Sequence, residues 1–325
     1  MGYCVFFGMS ARFRTASLAR VLMFALLLGV LSGCSLKTMA VNSVAGMLSE
    51  SGTTFSSDED PELVRDAVPF ALKLYESLLE SVPRNPDLLR ATCSVFTQYA
   101  YAFVQTDAER IQAEDFAAAE VLRARALKLY LRGRGYCFRA LELRRDGVTQ
   151  ALMRTPGEAL GWAQARDVEL LYWTGAAWGS AISIGQDQPA LVADVPAVQA
   201  LMGRALALDE AWGDGAIHSA LISLEALPEA MGGSPVRARR HFDRAVELSK
   251  GLDPGPFVTF AASVALAAQD RAEFERLLER ALAIDPDRAP DIRLPSLIAQ
   301  ARARDLLARA DELFFEPAAP ERIAP

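Results

Sequence analysis

Most of the chain consists of segments in which apolar residues recur with the period of an α-helix, separated by proline and glycine. One such segment follows Asp60-Pro61-Glu62, a typical helix start with an acid before proline and another acid after it. Its apolar positions are Leu63, Ala67, Phe70, Leu74 and Leu78. Helices are predicted at 61–82, 86–109, 112–146, 156–185, 194–208, 211–229, 234–250, 255–268, 271–284 and 295–315. Because alternating strand patterns are nearly absent, we predict the all-α fold class.

Four segments share a finer pattern, in which three core positions are spaced four and three residues apart. Proline follows five residues later in two of the segments. The four sets are Ala71, Tyr75, Leu78 and Pro83; Val198, Met202 and Ala205; Ala238, Phe242 and Ala245; and Phe274, Leu278, Ala281 and Pro286. This pattern is typical of the second half of a tetratricopeptide-like unit. It predicts helix pairs stacked into a tetratricopeptide-like bundle or solenoid with a concave groove.

Two helical segments are unusually rich in aromatic and small residues, at 93–105 and 168–185. The second is apolar on all sides and contains Gly175 and Gly179, so we expect it to be the central helix. The aromatic side chains are either core residues with one polar contact or the lining of a central cavity for an apolar or amphipathic ligand. The candidate lining residues are Tyr99, Trp173, Trp178, Trp212 and His218. His218 by itself is more typical of a hydrogen-bonded core histidine.

The N-terminus resembles the signal of a bacterial lipoprotein. Three arginines precede a run of ten apolar or glycine residues, Val21 to Val30, whereas a membrane-spanning helix needs about 20. Leu31-Ser32-Gly33-Cys34 then resembles a lipobox, in which the cysteine is acylated and cleavage falls before it. We therefore expect lipid attachment at Cys34, and Ser35 favours the outer membrane over the inner one. The alternatives are an ordinary signal peptide or a cysteine that stands there by chance.

This interpretation divides the chain into four parts: signal peptide 1–33, lipid-anchored tether 34–60, helical-repeat domain 61–315 and disordered tail 316–325. The mature chain has 292 residues, 325 less 33. Its net charge is −10, because three of the 34 Lys and Arg leave with the signal while all 41 Asp and Glu remain. An acidic chain without a basic run is a poor candidate for binding nucleic acid. Contact with the membrane is therefore expected through the lipid.

Two cysteines remain in the predicted helical domain, Cys93 and Cys137. They are either two buried free thiols or a disulfide between helices, as an oxidising periplasm permits. Neither lies in a CxxC pair, so redox catalysis is not expected.

The sequence contains no motif for catalysis, nucleotide binding or metal binding: GxxxxGK[ST], GxGxxG, HExxH and GxSxG are all missing. The two histidines, His218 and His241, fall on different predicted helices. We therefore expect no metal and no cofactor, and predict that the protein is not an enzyme.

The mature chain contains, in order, the stretches GCSLKTMAVNSVAGMLSESGTTFSSDEDPELVRDAVPFALKLYESLLESVPRNPDLLRATCSVFTQYAYAFVQ, LYWTGAAWGSAIS, LMGRALALDEAWGDGAIHSALI, GGSPVRARRHFDRAVELSKGLDPGPFVTFA and RAEFERLLERALAIDP. Together they resemble the TRAP-transporter-associated T component family (TatT), over roughly Cys34 to Phe315. This resemblance implies a lipid-anchored periplasmic homotrimer with a tetratricopeptide-like fold and a channel-like cavity in each protomer. The implied partner is the solute-binding protein of a tripartite ATP-independent periplasmic (TRAP) transporter. The implied ligand is a hydrophobic or amphipathic organic acid.

Two other functions are compatible with the residues. One is a general tetratricopeptide-like lipoprotein scaffold for envelope protein assembly, with other envelope proteins as partners. The other is a lipid-anchored enzyme, which would need a turnover that depends on a specific carboxylate or on His218. The leading hypothesis is an accessory component of solute uptake that binds a solute-binding protein.

Overall fold

A computed structural model describes residues 52–315 of the 325-residue chain. No residue in this range belongs to a strand, which confirms the all-α class. The signal, Cys34, most of the tether and the C-terminal tail lie outside the described residues.

The helices of this range follow one another along the chain with short connections. They are α1 (Pro61–Ser81), α2 (Pro86–Tyr99), α3 (Thr106–Ile111), α4 (Phe116–Arg144), α5 (Val148–Arg154), α6 (Val168–Ile184), α7 (Val195–Leu208), α8 (Ala216–Glu225), α9 (Pro235–Leu248), α10 (Gly255–Phe260), α11 (Arg271–Leu282) and α12 (Arg293–Ala308). Shorter helices lie at Gly52–Ser56, Pro156–Ala159, Pro189–Val192 and Ala310–Leu313. A π-helical segment, Ala100–Gln105, joins α2 to α3, and another, Ala261–Ala265, follows α10.

Several helices begin at a side chain that accepts hydrogen bonds from the first turn. The Asp60 carboxylate accepts from the backbone N–H groups of Glu62 and Leu63, both at 3.1 Å, which confirms the predicted start of α1. The Asn85 amide oxygen accepts from Leu88 N at 2.9 Å at the start of α2. These caps satisfy donors that have no partner within the helix.

The prediction of one continuous helix over 156–185 is wrong. The chain forms a short helix at Pro156–Ala159, and α6 begins only at Val168. A buried carboxylate holds the intervening turn. Asp167 accepts from the backbone N–H of Gln164 at 2.9 Å and from Arg144 Nε at 2.6 Å.

Left-handed backbone conformations move two further boundaries. Gly147 has φ 74° and donates its N–H to Glu142 at 2.7 Å, which ends α4 early and starts α5, a helix that the sequence pattern missed. The helix predicted from residue 211 begins instead at Ala216, because Gly213, Asp214 and Gly215 have φ of 60°, 50° and 98°. Glycine adopts such angles without the steric cost that other residues incur.

The face that α1 turns to the core differs from the apolar stripe that identified it. The buried residues are Val64, Val68, Leu72, Tyr75 and Leu79. Leu63, Phe70 and Leu74, by contrast, are among the exposed large hydrophobic side chains. The helix is therefore apolar on two sides.

Helix α6 is central, as predicted. It packs against α2, α4 and α7, and Leu171, Ala177 and Trp178 are fully buried in it. A Cβ atom at Gly175 would lie 2.9 Å from Met202 Cε of α7. The missing side chain thus allows α6 and α7 to approach closely.

The small and large residues of the predicted repeats lie where helices pack. In α7, α9 and α11 they are all buried: Val198, Met202 and Ala205; Ala238, Phe242 and Ala245; Phe274, Leu278 and Ala281. In α1, Tyr75 is buried while Ala71 and Leu78 are half-buried. The packing role of these positions is therefore clear, whereas the repeat organisation and the central cavity stay predictions.

The two cysteines of the domain form a disulfide that joins α2 to α4. Cys93 and Cys137 are fully buried and their Cα atoms lie 5.4 Å apart. Nearby, a Cβ atom at Gly133 of α4 would lie 3.2 Å from Cys93 O and from Phe96 Cβ. The glycine and the disulfide both serve close contact between these helices.

Residues Pro189–Leu208 are long and apolar enough to cross a membrane by length and composition alone. The stretch includes α7, whose Val198 and Leu201 are fully buried against the rest of the core. A buried core helix can have the same length and composition. Burial in the core therefore explains the apolar character of α7.

Candidate functional site

The five predicted lining residues lie in several environments, and Trp178 is in the core. Its side chain has no exposed surface. The ring meets Phe138 edge-on, with centroids 4.9 Å apart, and the Arg134 guanidinium lies 5.1 Å from its centroid. Its indole N–H donates to Asp194 Oδ2 at 3.1 Å. A buried tryptophan with its one donor satisfied is a typical structural residue.

Tyr99 belongs to a second core cluster, between α1, α2 and α4. It is buried and packs on Phe103, with centroids 5.7 Å apart. Its hydroxyl accepts from Arg125 Nη2 at 3.4 Å. This tyrosine therefore connects the core to a surface arginine.

His218 pairs with the second histidine of the chain. Its Nδ1 lies 2.8 Å from His241 Nδ1, and its Nε2 lies 3.2 Å from Glu210 Oε1. Burial lowers the pKa of both imidazoles. The charge of Arg244 also lowers the pKa of His218, and the charge of Arg237 also lowers the pKa of His241. Glu210 acts in the opposite direction on the pKa of His218. At neutral pH the pair is therefore uncharged and shares one N–H between the two facing nitrogens.

Trp173 and Trp212 meet at a residue that the sequence reasoning missed, Tyr172. The Tyr172 ring lies 5.0 Å from Trp173 and 4.6 Å from Trp212, centroid to centroid. All three side chains are half-buried. Two of the predicted lining residues thus share one aromatic cluster with accessible surface.

Tyr172 also connects this aromatic cluster to charged groups. Burial raises the pKa of Tyr172 to about 12, and the neighbouring Asp253 and Tyr101 act in the same direction. Burial likewise raises the pKa of the Asp253 carboxyl, although that group accepts from Gly255 N at 2.7 Å. Both side chains nevertheless keep some exposure.

Arg302 of α12 contacts Tyr101, whose side chain is 39% exposed. Its Nε donates to Glu109 Oε2 at 3.0 Å and its Nη1 to the Tyr101 hydroxyl at 3.0 Å. Burial works to lower the pKa of Arg302, but Glu109 and Tyr101 outweigh it and hold that pKa above its ordinary value. Arg302 therefore stays positively charged. We call Tyr101, Tyr172, Asp253 and Arg302 the interior cluster.

The π-helical segment Ala100–Gln105 helps to position this cluster. Tyr101, Gln105 and Glu109 follow at four-residue intervals through the wide turn, and Gln105 Nε2 donates to Glu109 Oε1 at 2.9 Å. Gln105 also accepts from the buried Tyr130 hydroxyl of α4 at 2.6 Å. Such π turns are frequent at functional sites.

The interior cluster offers binding chemistry and no reactive arrangement. It combines one arginine, two phenols and one carboxyl group, and the rings of Trp173 and Trp212 lie against its Tyr172. Among the described residues no group of three or more His, Cys, Asp or Glu is placed to hold a metal ion. The prediction of no metal and no cofactor therefore rests on the sequence.

Arg302, Asp253 and Tyr101 could not have been found from the sequence, because they come from segments far apart in the chain. Tyr172 could have been predicted as a site residue. It is a phenol beside Trp173 in a helix whose other residues are nearly all apolar or small.

Comparison with known proteins matches the chain to a family model and to a relative. A family model described as TRAP transporter T-component matches residues 57–314. A protein of Treponema pallidum (strain Nichols), itself described as uncharacterized, is 32% identical over 304 residues, which cover 88% of this chain and 94% of that protein. The residues matched by the family model include the whole of the interior cluster.

Proposed function

Since this chain belongs to the TRAP transporter T-component family, we propose that it binds the solute-binding protein of such a transporter in the periplasm. The family is one of transporter accessory components and is not an enzyme family. The match over residues 57–314 is the observation that carries the proposal. The missing nucleotide motif fits it, because a TRAP transporter uses an ion gradient as its source of energy.

A lipid at Cys34 would hold the protein at the membrane where its partner passes. Two or three acyl chains anchor a protein stably, whereas one does not. The proposed location is the periplasmic face of a membrane, with the outer membrane favoured by Ser35, and the proposed assembly is a homotrimer. The lipobox supports the anchor, and the family resemblance supports the trimer.

The interior cluster is the proposed site for ligand passage. Arg302 can donate hydrogen bonds to a carboxylate, and Trp173, Trp212 and Tyr172 form an aromatic cluster that offers apolar surface. This combination suits a hydrophobic or amphipathic organic acid. Ligand sites generally combine an apolar lining with a few polar groups in this way.

Co-purification from the source organism tests the proposal. The full-length chain with a C-terminal tag would be isolated in detergent after mild crosslinking, and its companions quantified by mass spectrometry against an untagged strain. We expect a TRAP solute-binding protein among the strongly enriched proteins. Enrichment of envelope assembly factors without it would instead support the alternative, a general tetratricopeptide-like lipoprotein scaffold.

A further inference from the structure

The solvent side of α1 carries a row of four apolar side chains. Phe70 is 74% exposed, Leu63 is 60% exposed and Leu74 is 36% exposed, and Ala67 between them is exposed as well. The residues with which α1 contributes to the core lie on another side of the helix. The row is therefore free to make a contact outside the protomer. We call these four residues the α1 seam.

The spacing of the α1 seam is that of a coiled-coil contact. Leu63, Ala67, Phe70 and Leu74 follow one another at intervals of four, three and four residues. This alternation keeps apolar residues on the line along which one helix packs against a second helix. Single exposed apolar residues are common on protein surfaces, whereas a continuous exposed row marks an interaction site. The spacing therefore predicts a helix as the occupant of the seam.

The α1 seam is complementary to itself in size when two copies of the helix run antiparallel. In that alignment the first residue of the seam faces the last residue of the other copy, so Leu63 packs on Leu74. The two central residues also face each other, so Ala67 packs on Phe70 of the second copy. The small alanine side chain leaves room for the large ring. In a parallel alignment, by contrast, two Phe70 rings would crowd one layer and two Ala67 side chains would leave the next layer unfilled.

The charges beside the α1 seam are complementary in the same antiparallel alignment. Asp66 and Lys73 directly precede Ala67 and Leu74, so they occupy equivalent positions on one flank of the seam, and both are exposed. Flanking residues of two antiparallel helices face each other across the seam. Asp66 therefore lies beside Lys73 of the second copy, and the twofold symmetry forms this ion pair twice.

Neither flanking residue is tied up within the protomer. Asp66 pairs with no cation in the part of the chain that the structure describes. Lys73 contacts Glu76 at 2.7 Å, but its side chain is 69% exposed. An ammonium group has three N–H donors, so Lys73 can contact Glu76 and a second carboxylate together.

We propose that the α1 seam pairs two copies of this chain through an antiparallel contact of their α1 helices. Spacing, side-chain size and charge all fit a second copy, and a self-complementary surface of this kind generates a twofold axis. The inference goes beyond the proposed function and needs neither the solute-binding protein nor a ligand. Because the proposed homotrimer has a threefold axis, the α1 contact would join two such trimers.

The contact is short, which decides where it is measured first. Leu63 and Leu74 are eleven residues apart, which corresponds to about 17 Å of helix. A single helix pair of this length buries less surface than a stable interface in solution. The proposed lipid at Cys34 confines the copies to one membrane and so raises their effective concentration. Pairing is therefore measured first in membranes of the source organism.

Cysteine crosslinking in these membranes tests the contact and its direction. Full-length Leu63→Cys and Leu74→Cys variants with different tags would be expressed together, and the isolated membranes oxidised with copper phenanthroline. Cys93 and Cys137 are already joined in a disulfide, so they do not compete for the new thiols. The control pair is Leu63→Cys with Val236→Cys, because Val236 of α9 is also apolar and is 64% exposed.

We expect a disulfide-linked product with both tags for Leu63→Cys and Leu74→Cys, at about tenfold or more the yield of the control pair, because the antiparallel alignment brings the two positions within disulfide range. A mixed product no stronger than the control would overturn the inference. Products that join two Leu63→Cys chains or two Leu74→Cys chains, without the mixed product, would show a parallel contact and overturn it as well.

Analytical ultracentrifugation of the full-length chain in detergent micelles tests the apolar part of the contact. Phe70→Asp places an unpaired charge in the centre of the seam at a position that is exposed in the protomer. Val236→Asp is the matched control. We expect Phe70→Asp to weaken association by about tenfold or more and to halve the mass of the largest assembly, while the control behaves like wild type. Equal association of wild type and Phe70→Asp would overturn the inference.

An exchange of the two flanking charges tests the alignment in the same assay. Asp66→Lys places two lysines in each flanking contact and should weaken association several-fold. Asp66→Lys/Lys73→Asp brings opposite charges together again, so association should return toward that of wild type. Two independent folding defects would add instead. Association that is as weak in the double variant as in Asp66→Lys would overturn the antiparallel register and with it the inference.

A different occupant of the α1 seam would give a different crosslinked product. Strong crosslinking of Leu74→Cys to another envelope protein, without a product between two copies of the chain, would assign the seam to that protein and overturn the inference. The proposed function does not depend on this result, because co-purification of the solute-binding protein tests it separately.

Discussion

Trp173 and Trp178 lie on the same helix, yet the structure gives them different surroundings. Trp178 has no exposed surface and donates to Asp194, whereas Trp173 is half-buried against Tyr172. The difference depends on Phe138, which reaches Trp178 from a helix about forty residues away in the chain. The sequence around a residue does not indicate which distant residues will contact its side chain.

Replacing Trp178 by alanine should destabilise the protein by about 3–5 kcal/mol, because it leaves a cavity and removes a hydrogen bond to Asp194. The measurement is the free energy of unfolding from urea titration. Phe70→Ala, an equally drastic truncation at an exposed position, should change it by about 0.5 kcal/mol or less. Equal losses in the two variants would contradict the assignment of Trp178 to the core.

The histidine pair makes stability depend on pH. Burial lowers the pKa of both His218 and His241, so below about pH 6.5 the unfolded chain binds more protons than the folded one. Stability is therefore fully present above that pH and falls as the solution is acidified toward the lowered pKa values. Urea titrations at pH 7.5, 6.5 and 5.5 should show this fall.

His218→Gln/His241→Gln is the matched control for that series, because it removes both titrating rings while carboxylates elsewhere still respond to acid. The decline in the free energy of unfolding between pH 7.5 and 5.5 should be smaller in the variant. An identical decline would show that the pair does not titrate in this range.

At the scale of elements, the sequence predicted which segments are helices better than which side they bury. Residues 61–81 carry two apolar rows of helical spacing, one with Leu63, Phe70 and Leu74 and the other with Val64, Val68 and Leu72. Periodicity alone cannot rank them, because the choice depends on packing against α2 and α4. In α6 no side had to be chosen, because all sides of the helix are apolar. Its central position was predicted correctly.

The starts and breaks of helices also differ in how well the sequence predicts them. Caps such as Asp60 are local, so the starts they define were predictable. The break before α6 was not, because it depends on Asp167 receiving Arg144 from another helix. For the same reason the interior cluster, assembled from four distant segments, was inaccessible to reasoning along the sequence.

The disulfide between α2 and α4 should contribute about 4 kcal/mol to stability in the chain-entropy model, given the separation of 44 residues between Cys93 and Cys137. The Cys93→Ala/Cys137→Ala variant should lose most of this in guanidinium titration. Adding reductant to the denatured wild-type protein should produce a similar loss on refolding. A change below about 1 kcal/mol in both experiments would contradict a stabilising role for the crosslink.

At the scale of the whole molecule, the account requires a helical domain held to a membrane by lipid at Cys34. Mass spectrometry of the membrane-extracted protein should find an acylated N-terminal peptide that begins at this cysteine. Exchanging residues 1–34 for an ordinary cleavable signal peptide should move the protein to the soluble periplasmic fraction, because the acyl chains supply its membrane affinity. An unmodified Cys34, or a chain that stays with the membranes after the exchange, would refute the anchor.

The central claim is that this T-component serves solute uptake, and transport itself tests it most directly. The solute that co-purifies with the cognate solute-binding protein would be identified, radiolabelled and supplied to cells with and without this gene. We predict that uptake falls strongly in the deletion strain and returns when the wild-type chain is expressed. Uptake equal to that of the parent strain, with the transporter subunits at normal levels, would contradict the account.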